Sequence, residues 1–219
     1  MTARKRTTPL ALAAATLSLA LSVAGCGDSS PPPSKVDTSA NAVGSTGGES
    51  GLEGAVLPPG TPAPGFTLID QQHQRVSLRA LRGRVTVIAF LYSTCGATCV
   101  LIAQQIRGAL NELEGEHARL PAVLIVSADP TADTRANVGR FLREVSLTGR
   151  VRFLTASTVQ LRPIWRAYRI RPASAGRTKF AEYTSVLLLD THGNERALFQ
   201  SEQLTPESIS HDIRRLDSR

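Results

Sequence analysis

Two cysteines four positions apart, Cys95 and Cys99, are the residues of this chain best suited to chemistry. Across one helical turn that spacing puts their Cα atoms about 6 Å apart, within the range a disulfide can close. A helix N-terminus, with its partial positive charge, favours the thiolate form. Thiolate attacks disulfides and ligates soft metals, so one geometry serves both redox exchange and copper(I). A bond that merely stiffens the chain is the competing explanation. Closing so small a ring removes little unfolded-chain entropy, which makes stiffening the weaker reason for the pair.

The elements that must position the pair are legible in the hydrophobic pattern. Val85 to Leu91 is a β-branched and aromatic run with Thr86 as its one polar residue, the pattern of a strand buried on both faces. After Tyr92 to Thr98, apolar or small residues recur at Cys99, Ile102, Ala103, Ile106, Leu110 and Leu113, one face of a helix. Val123 to Val126 is a second buried strand, giving a parallel strand, helix, strand unit of right-handed sense. Cys95 therefore falls just past the carboxyl end of a strand, where open α/β sheets carry their sites, and Cys99 starts the buried helix face.

The rest of the chain supplies the remaining layers. Phe66 to Ile69 and Val76 to Leu78 read as strands about the polar turn Asp70 to Arg75. Val138, Phe141, Leu142 and Val145 mark a helix that Asp133 could cap, and a further helix runs from Thr158 to Tyr168 with Pro163 near its first turn. Ser185 to Leu189 and Arg196 to Phe199 form a hairpin about Asp190 to Glu195. Thr205-Pro206-Glu207 opens a last helix whose buried stripe is Ile209, Ile213 and Leu216. The predicted class is α/β, a central mixed sheet flanked by helices.

Ahead of this domain, Arg4, Lys5 and Arg6 precede an apolar run from Leu10 to Leu21 and the small residues Val23-Ala24-Gly25. That order reads as an export signal over residues 1–25, its apolar run shorter than the roughly 20 residues that span a bilayer. Val23-Ala24-Gly25-Cys26 resembles a lipobox, which makes Cys26 the lipidated first residue of the mature protein, anchored on the outer face of a bacterial cell membrane. Residues 26–60, rich in Ser, Pro, Gly and Ala, read as a flexible tether, and residues 61–219 as the domain. Export leaves Cys95 and Cys99 where disulfides form and persist. The net charge of +7 includes three charges from the signal, leaving +4, so no nucleic-acid partner is implied. No glycine-rich phosphate loop or internal repeat is present, which removes nucleotide binding.

The segment Phe90-Leu91-Tyr92-Ser93-Thr94-Cys95-Gly96-Ala97-Thr98-Cys99 resembles the signature of the Sco/SenC family, a strand ending in a C-x-x-x-C loop. Pro64 to Leu68, Val76 to Leu78 with Leu81-Arg82-Gly83, Ser127-Ala128-Asp129-Pro130 with Asp133-Thr134, Phe153-Leu154-Thr155 and Trp165 to Tyr168 agree in order and spacing. The resemblance covers Thr61 to Phe199. It implies a thioredoxin-like fold, and delivery of copper to, or reduction of the thiols at, copper sites of cytochrome c oxidase. It implies Cys95 and Cys99 both as the redox pair and as copper ligands, and a copper-receiving oxidase subunit or a thiol reductant protein as partner. The family's third ligand, a histidine, falls by register on Glu182, and none of His73, His117, His192 or His211 stands close to it. Val100 and Arg135 replace two prolines of the family pattern. The alternative is an extracytoplasmic thiol-disulfide oxidoreductase without a metal. General insulin-reductase activity fits less well, because Thr184 stands where thioredoxin carries its cis-proline.

Three secondary features complete the candidates. Asp129 should lie at the thiol end of the sheet, as a proton acceptor or ligand-orienting group, or as a turn residue before Pro130. Arg162, Arg166 and Arg169, followed by Arg171, Arg177 and Lys179, share helical spacing that suits an acidic partner or lipid headgroups, though a solvated basic face explains it more simply. Trp165 and Tyr168 are expected in the core.

Overall fold

A computed structural model describes residues 51–172 and 185–218 of the protein. Its strands are β1 (Ala55–Val56), β2 (Thr67–Asp70), β3 (Arg75–Ser77), β4 (Thr86–Leu91), β5 (Ala122–Ser127), β6 (Arg152–Thr155), β7 (Ser185–Leu189) and β8 (Glu195–Gln200). Its helices are α1 (Ala97–Gly115), α2 (Arg135–Glu144), α3 (Thr158–Ala167) and α4 (Pro206–Asp217). All eight strands join one sheet in the order β1-β8-β7-β4-β5-β6-β2-β3. The pairs β4·β5 and β5·β6 are parallel and the others antiparallel, so the sheet is mixed, as expected.

Alternation along the central strands splits the interior into two cores. Val87, Ala89 and Leu91 face α1, α2 and α4, whereas Ile88 and Phe90 face Leu161 and Trp165 of α3. Strand β4 is buried at every residue because both faces carry helices, which is why its sequence shows no polar alternation. Each fully buried Leu, Ile or Val adds roughly 1.5–3 kcal/mol, so the two cores outweigh any single polar contact described below. α1 and α4 run side by side at close range. A Cβ added at Gly108 would stand 2.6 Å from Pro206 Cγ, so only glycine admits this approach.

The structure departs from the sequence expectations in four places. Residues 52–56, within the stretch read as tether, are docked: Leu52 is buried, Glu53 N–H (2.8 Å) and Gly54 N–H (3.0 Å) donate to the buried Asp212, and β1 pairs with β8. Strand β6 went unrecognised because only Phe153 and Leu154 of its four residues are buried. Pro163 lies in the second turn of α3 instead of the first, so the carbonyl of Val159 has no N–H four residues on, and Val159 is 77% exposed. Asp133 does not cap α2. Thr134 does, its hydroxyl accepting from Asn137 N–H at 3.2 Å, and Asp133 is free for another task.

Candidate thiol site

Strand β4 delivers the thiol loop at its carboxyl end, next to the end of β5, with which it pairs from Thr86↔Ala122 to Leu91↔Ser127. The buried Tyr92 closes the strand, and Cys95 N–H donates to its carbonyl at 3.2 Å. The chain then turns into α1 at Gly96, whose φ of 86° lies where side chains are strained. A Cβ there would meet nothing within 4 Å, so the demand for glycine is conformational and not one of space.

Cys95 and Cys99 are joined by a disulfide with Cα atoms 5.9 Å apart, the expected distance, although Cys95 precedes α1 instead of sitting one helical turn before Cys99. Their surroundings differ. Cys99 is 0% exposed within the core under α1, whereas Cys95 is half-buried and packs on the rim of the same core. No side chain caps α1 and its first turn holds no acidic residue, so no carboxylate of the helix itself offsets its partial positive charge near the sulfurs. A thiolate released from the bond would be stabilised there.

The loop entering α2 grips the thiol loop. Asp133 Oδ1 accepts from Ser93 N–H at 2.6 Å, its Oδ2 accepts from the Ser127 hydroxyl, and the Ser93 hydroxyl donates to Ala132 O at 3.3 Å. Burial pushes the Asp133 carboxyl above the usual carboxylate range, against the hydrogen bonds from Ser127 and Ser93, with the nearby Asp129 adding to the rise. From the other side of the sheet, the Trp165 indole N–H donates to Ser127 O at 2.9 Å. Ser93, Ser127 and Asp133 all stand in the blocks that carry the family resemblance, but the sequence assigned neither serine a role and read Asp133 only as a helix cap.

The secondary candidates resolve as follows. Asp129 Oδ1 accepts from Thr131 N–H (3.1 Å), Thr131 Oγ1 (2.6 Å) and Ala132 N–H (3.3 Å), the bonds of a turn residue. Arg162, Arg166 and Arg169 are exposed. Trp165 is buried, and Tyr168 is half-buried against Phe66 and Phe90, its hydroxyl donating to Pro64 O at 2.7 Å. Burial, with the Glu195 charge, pushes the Tyr168 phenol up. Cys26, Glu182, Thr184, Arg177 and Lys179 lie outside the described residues.

The histidines do not converge on the sulfurs. His192 sits in the β7–β8 turn, at the end of β4 opposite Cys95, since Thr86 pairs with Leu189 and Gly83 N–H donates to Thr191 O at 2.6 Å. His117 follows the far end of α1, whose last residue Gly115 is roughly 24 Å along the helix axis from Cys99. Among the described residues no group of three His, Cys, Asp or Glu side chains is placed to hold a metal ion. The opened pair offers two soft thiolates, a donor set that suits copper(I) and leaves its coordination to be completed by another ligand.

Comparison with known proteins gives the site its lineage. A protein of Stutzerimonas stutzeri, provisionally named as copper-binding, is 26% identical over 87 residues, which are 40% of this chain and 43% of that relative. The chain thus spans less than half the length of that relative. A SCO1/SenC family lipoprotein of Bacillus anthracis has the same fold, with a TM-score of 0.61 and 19% identity over 73% of this chain and 96% of the other. So does the copper-bound ScoI of Bradyrhizobium japonicum, with a TM-score of 0.53 and 23% identity over 71% and 99%. The fold is therefore thioredoxin-like, its mixed sheet carrying the thiol loop at the end of β4. The SCO1/SenC family model matches residues 58–217, from just ahead of β2 to the end of α4 and across the thiol loop, and the chain belongs to that family.

Proposed function

We propose that this protein is a lipid-anchored, extracytoplasmic thiol carrier that serves the copper sites of cytochrome c oxidase through Cys95 and Cys99, keeping copper-binding thiols reduced. The asymmetry of the pair carries the proposal: a half-buried Cys95 stands over a fully buried Cys99 at an uncapped helix start. In the reducing direction, Cys95 thiolate attacks a partner disulfide and forms a mixed disulfide, releasing one partner thiolate. Cys99 thiolate then attacks Cys95 Sγ, which restores the internal disulfide and releases the second partner thiolate. Two electrons leave the pair and two arrive on the partner, and an external dithiol reductant must reset the cycle. Family membership supports the oxidase as destination, and the signal-like segment ending in Cys26 supports the anchor. No helix among the described residues is long and apolar enough to cross a membrane. Cells carrying Cys95→Ser or Cys99→Ser should lose assembled oxidase copper centres, and normal assembly in both would refute the proposal.

Copper(I) as cargo is the second reading, favoured by the two adjacent sulfurs and by the copper-bound relative of the same fold. Its test is copper(I) competition against a chromophoric chelator, using the reduced protein beside Cys95→Ser and Glu182→His. Tight binding lost in Cys95→Ser supports it. Weak binding restored by Glu182→His would leave thiol exchange as the whole function.

A further inference from the structure

The thiol loop is held from outside its own strand and helix. Ser93, two residues before Cys95, is bound twice by the segment between β5 and α2: its N–H by the Asp133 carboxylate at 2.6 Å and its hydroxyl by Ala132 O at 3.3 Å. Asp133 is 5% exposed, and the Ser127 hydroxyl at the end of β5 engages its second oxygen. Two further bonds brace the grip, Asn137 Nδ2 to Ala132 O at 2.8 Å and Trp165 Nε1 to Ser127 O at 2.9 Å. A polar chain thus runs from the helix on one sheet face, through the sheet end, to the redox loop. A carboxylate this buried is costly unless its bonds are all made, and every bond it makes leads toward the thiol loop or the strand end beside it.

We propose that Asp133 is a positioning residue for the thiol pair: through Ser93 it holds the loop in the arrangement that the Cys95–Cys99 disulfide closes. It touches neither sulfur. Its loss loosens the disulfide form, and removes a negative charge whose presence disfavours the two thiolates formed on reduction. Both effects act in one direction, so wild-type Asp133 makes the disulfide harder to reduce. The proposal rests on the reading that the pair is redox-active.

The test equilibrates the full chain with glutathione buffers of defined ratio and counts the dithiol fraction by alkylation and mass. Asp133→Ala should shift the equilibrium constant toward dithiol by about tenfold, the size of a single charge-assisted hydrogen bond. Asp133→Asn, which keeps an acceptor for the Ser93 N–H, should shift it by less than about threefold. Thr134→Ala removes the α2 cap without touching the thiol loop and should lower the melting temperature while leaving the constant unchanged. An Asp133→Ala constant within twofold of wild type, or matched by Thr134→Ala, overturns the proposal. If Asp133→Ala does not fold, Ser127→Ala decides: a smaller shift in the same direction supports the proposal, and an unchanged constant overturns it. A wild-type pair that never exchanges with glutathione would instead refute the redox function itself.

Discussion

The unequal burial of the two sulfurs sets a measurable ratio. In reduced single-cysteine variants, Cys99→Ser leaves Cys95 at the rim and Cys95→Ser leaves Cys99 beneath α1. A reagent reaches Cys99 only if the first turn of α1 opens. That opening loses the burial of the side chain, roughly 1.5 kcal/mol at the low end for an apolar group. It also breaks the bond from Val100 N–H to Gly96 O, which costs about 1 kcal/mol. The sum of about 2.5 kcal/mol makes Cys99 roughly 50- to 100-fold slower than Cys95 at equal thiolate fraction. The assay follows release of the chromophore from an aromatic disulfide at several pH values, so that differences in thiolate fraction are separated from access. Equal limiting rates, or a faster Cys99, would refute the assignment of Cys95 as the attacking sulfur.

Three further expectations rest on other parts of the structure. Leu52→Ala should destabilise the domain by about 2–3 kcal/mol, because Leu52 belongs to the main core, and an unchanged denaturation midpoint would return residues 52–56 to the tether. For Asp190, burial acts to raise the carboxyl, but bonds from Asn194 N–H, Asn194 Nδ2, Arg196 and His192 N–H outweigh it and hold the pKa below the usual value. Its stabilisation is therefore present above the unfolded carboxylate pKa and lost as pH falls through the depressed folded value; Asp190→Ala should unfold more easily at pH 7, with the gap to wild type closing in acid, and a gap independent of pH would count against this. Trp165 is the chain's only tryptophan and its indole N–H binds the strand end beside the thiol loop, so its emission should change on reduction of the disulfide and stay constant in Cys95→Ser under the same reductant.

How much of this was legible in sequence depended on the kind of signal. Strands β4 and β5 announced themselves because burial on both faces leaves apolar side chains everywhere but at Thr86 and Ser127, and α1 because a regular stripe must meet the sheet. The pair at 95 and 99 was visible because residues so close in sequence stay within disulfide reach, although Cys95 precedes α1 instead of lying one helical turn from Cys99. Strands β1 and β6 were hidden by brevity and mixed burial: β1 has two exposed residues and earns its place through pairing with β8, a contact far away in sequence. Asp133 was legible as a residue at a helix entry, but not as a ligand of the thiol loop. Ser93 lies 40 positions away, and local pattern carries no record of that meeting. Capping preference pointed to the right stretch and the wrong residue, because Thr134 fills the cap equally well.

The most direct test of the account is the rate at which the reduced protein transfers its electrons to a disulfide-bonded peptide carrying two cysteines in the spacing of an oxidase copper site. Dithiothreitol at equal thiolate concentration serves as the reference. The account predicts transfer faster than the reference, with a mixed disulfide on Cys95 that accumulates in Cys99→Ser. A rate no faster than the reference, with no trapped species, would contradict it and leave the Cys95–Cys99 bond as a structural staple.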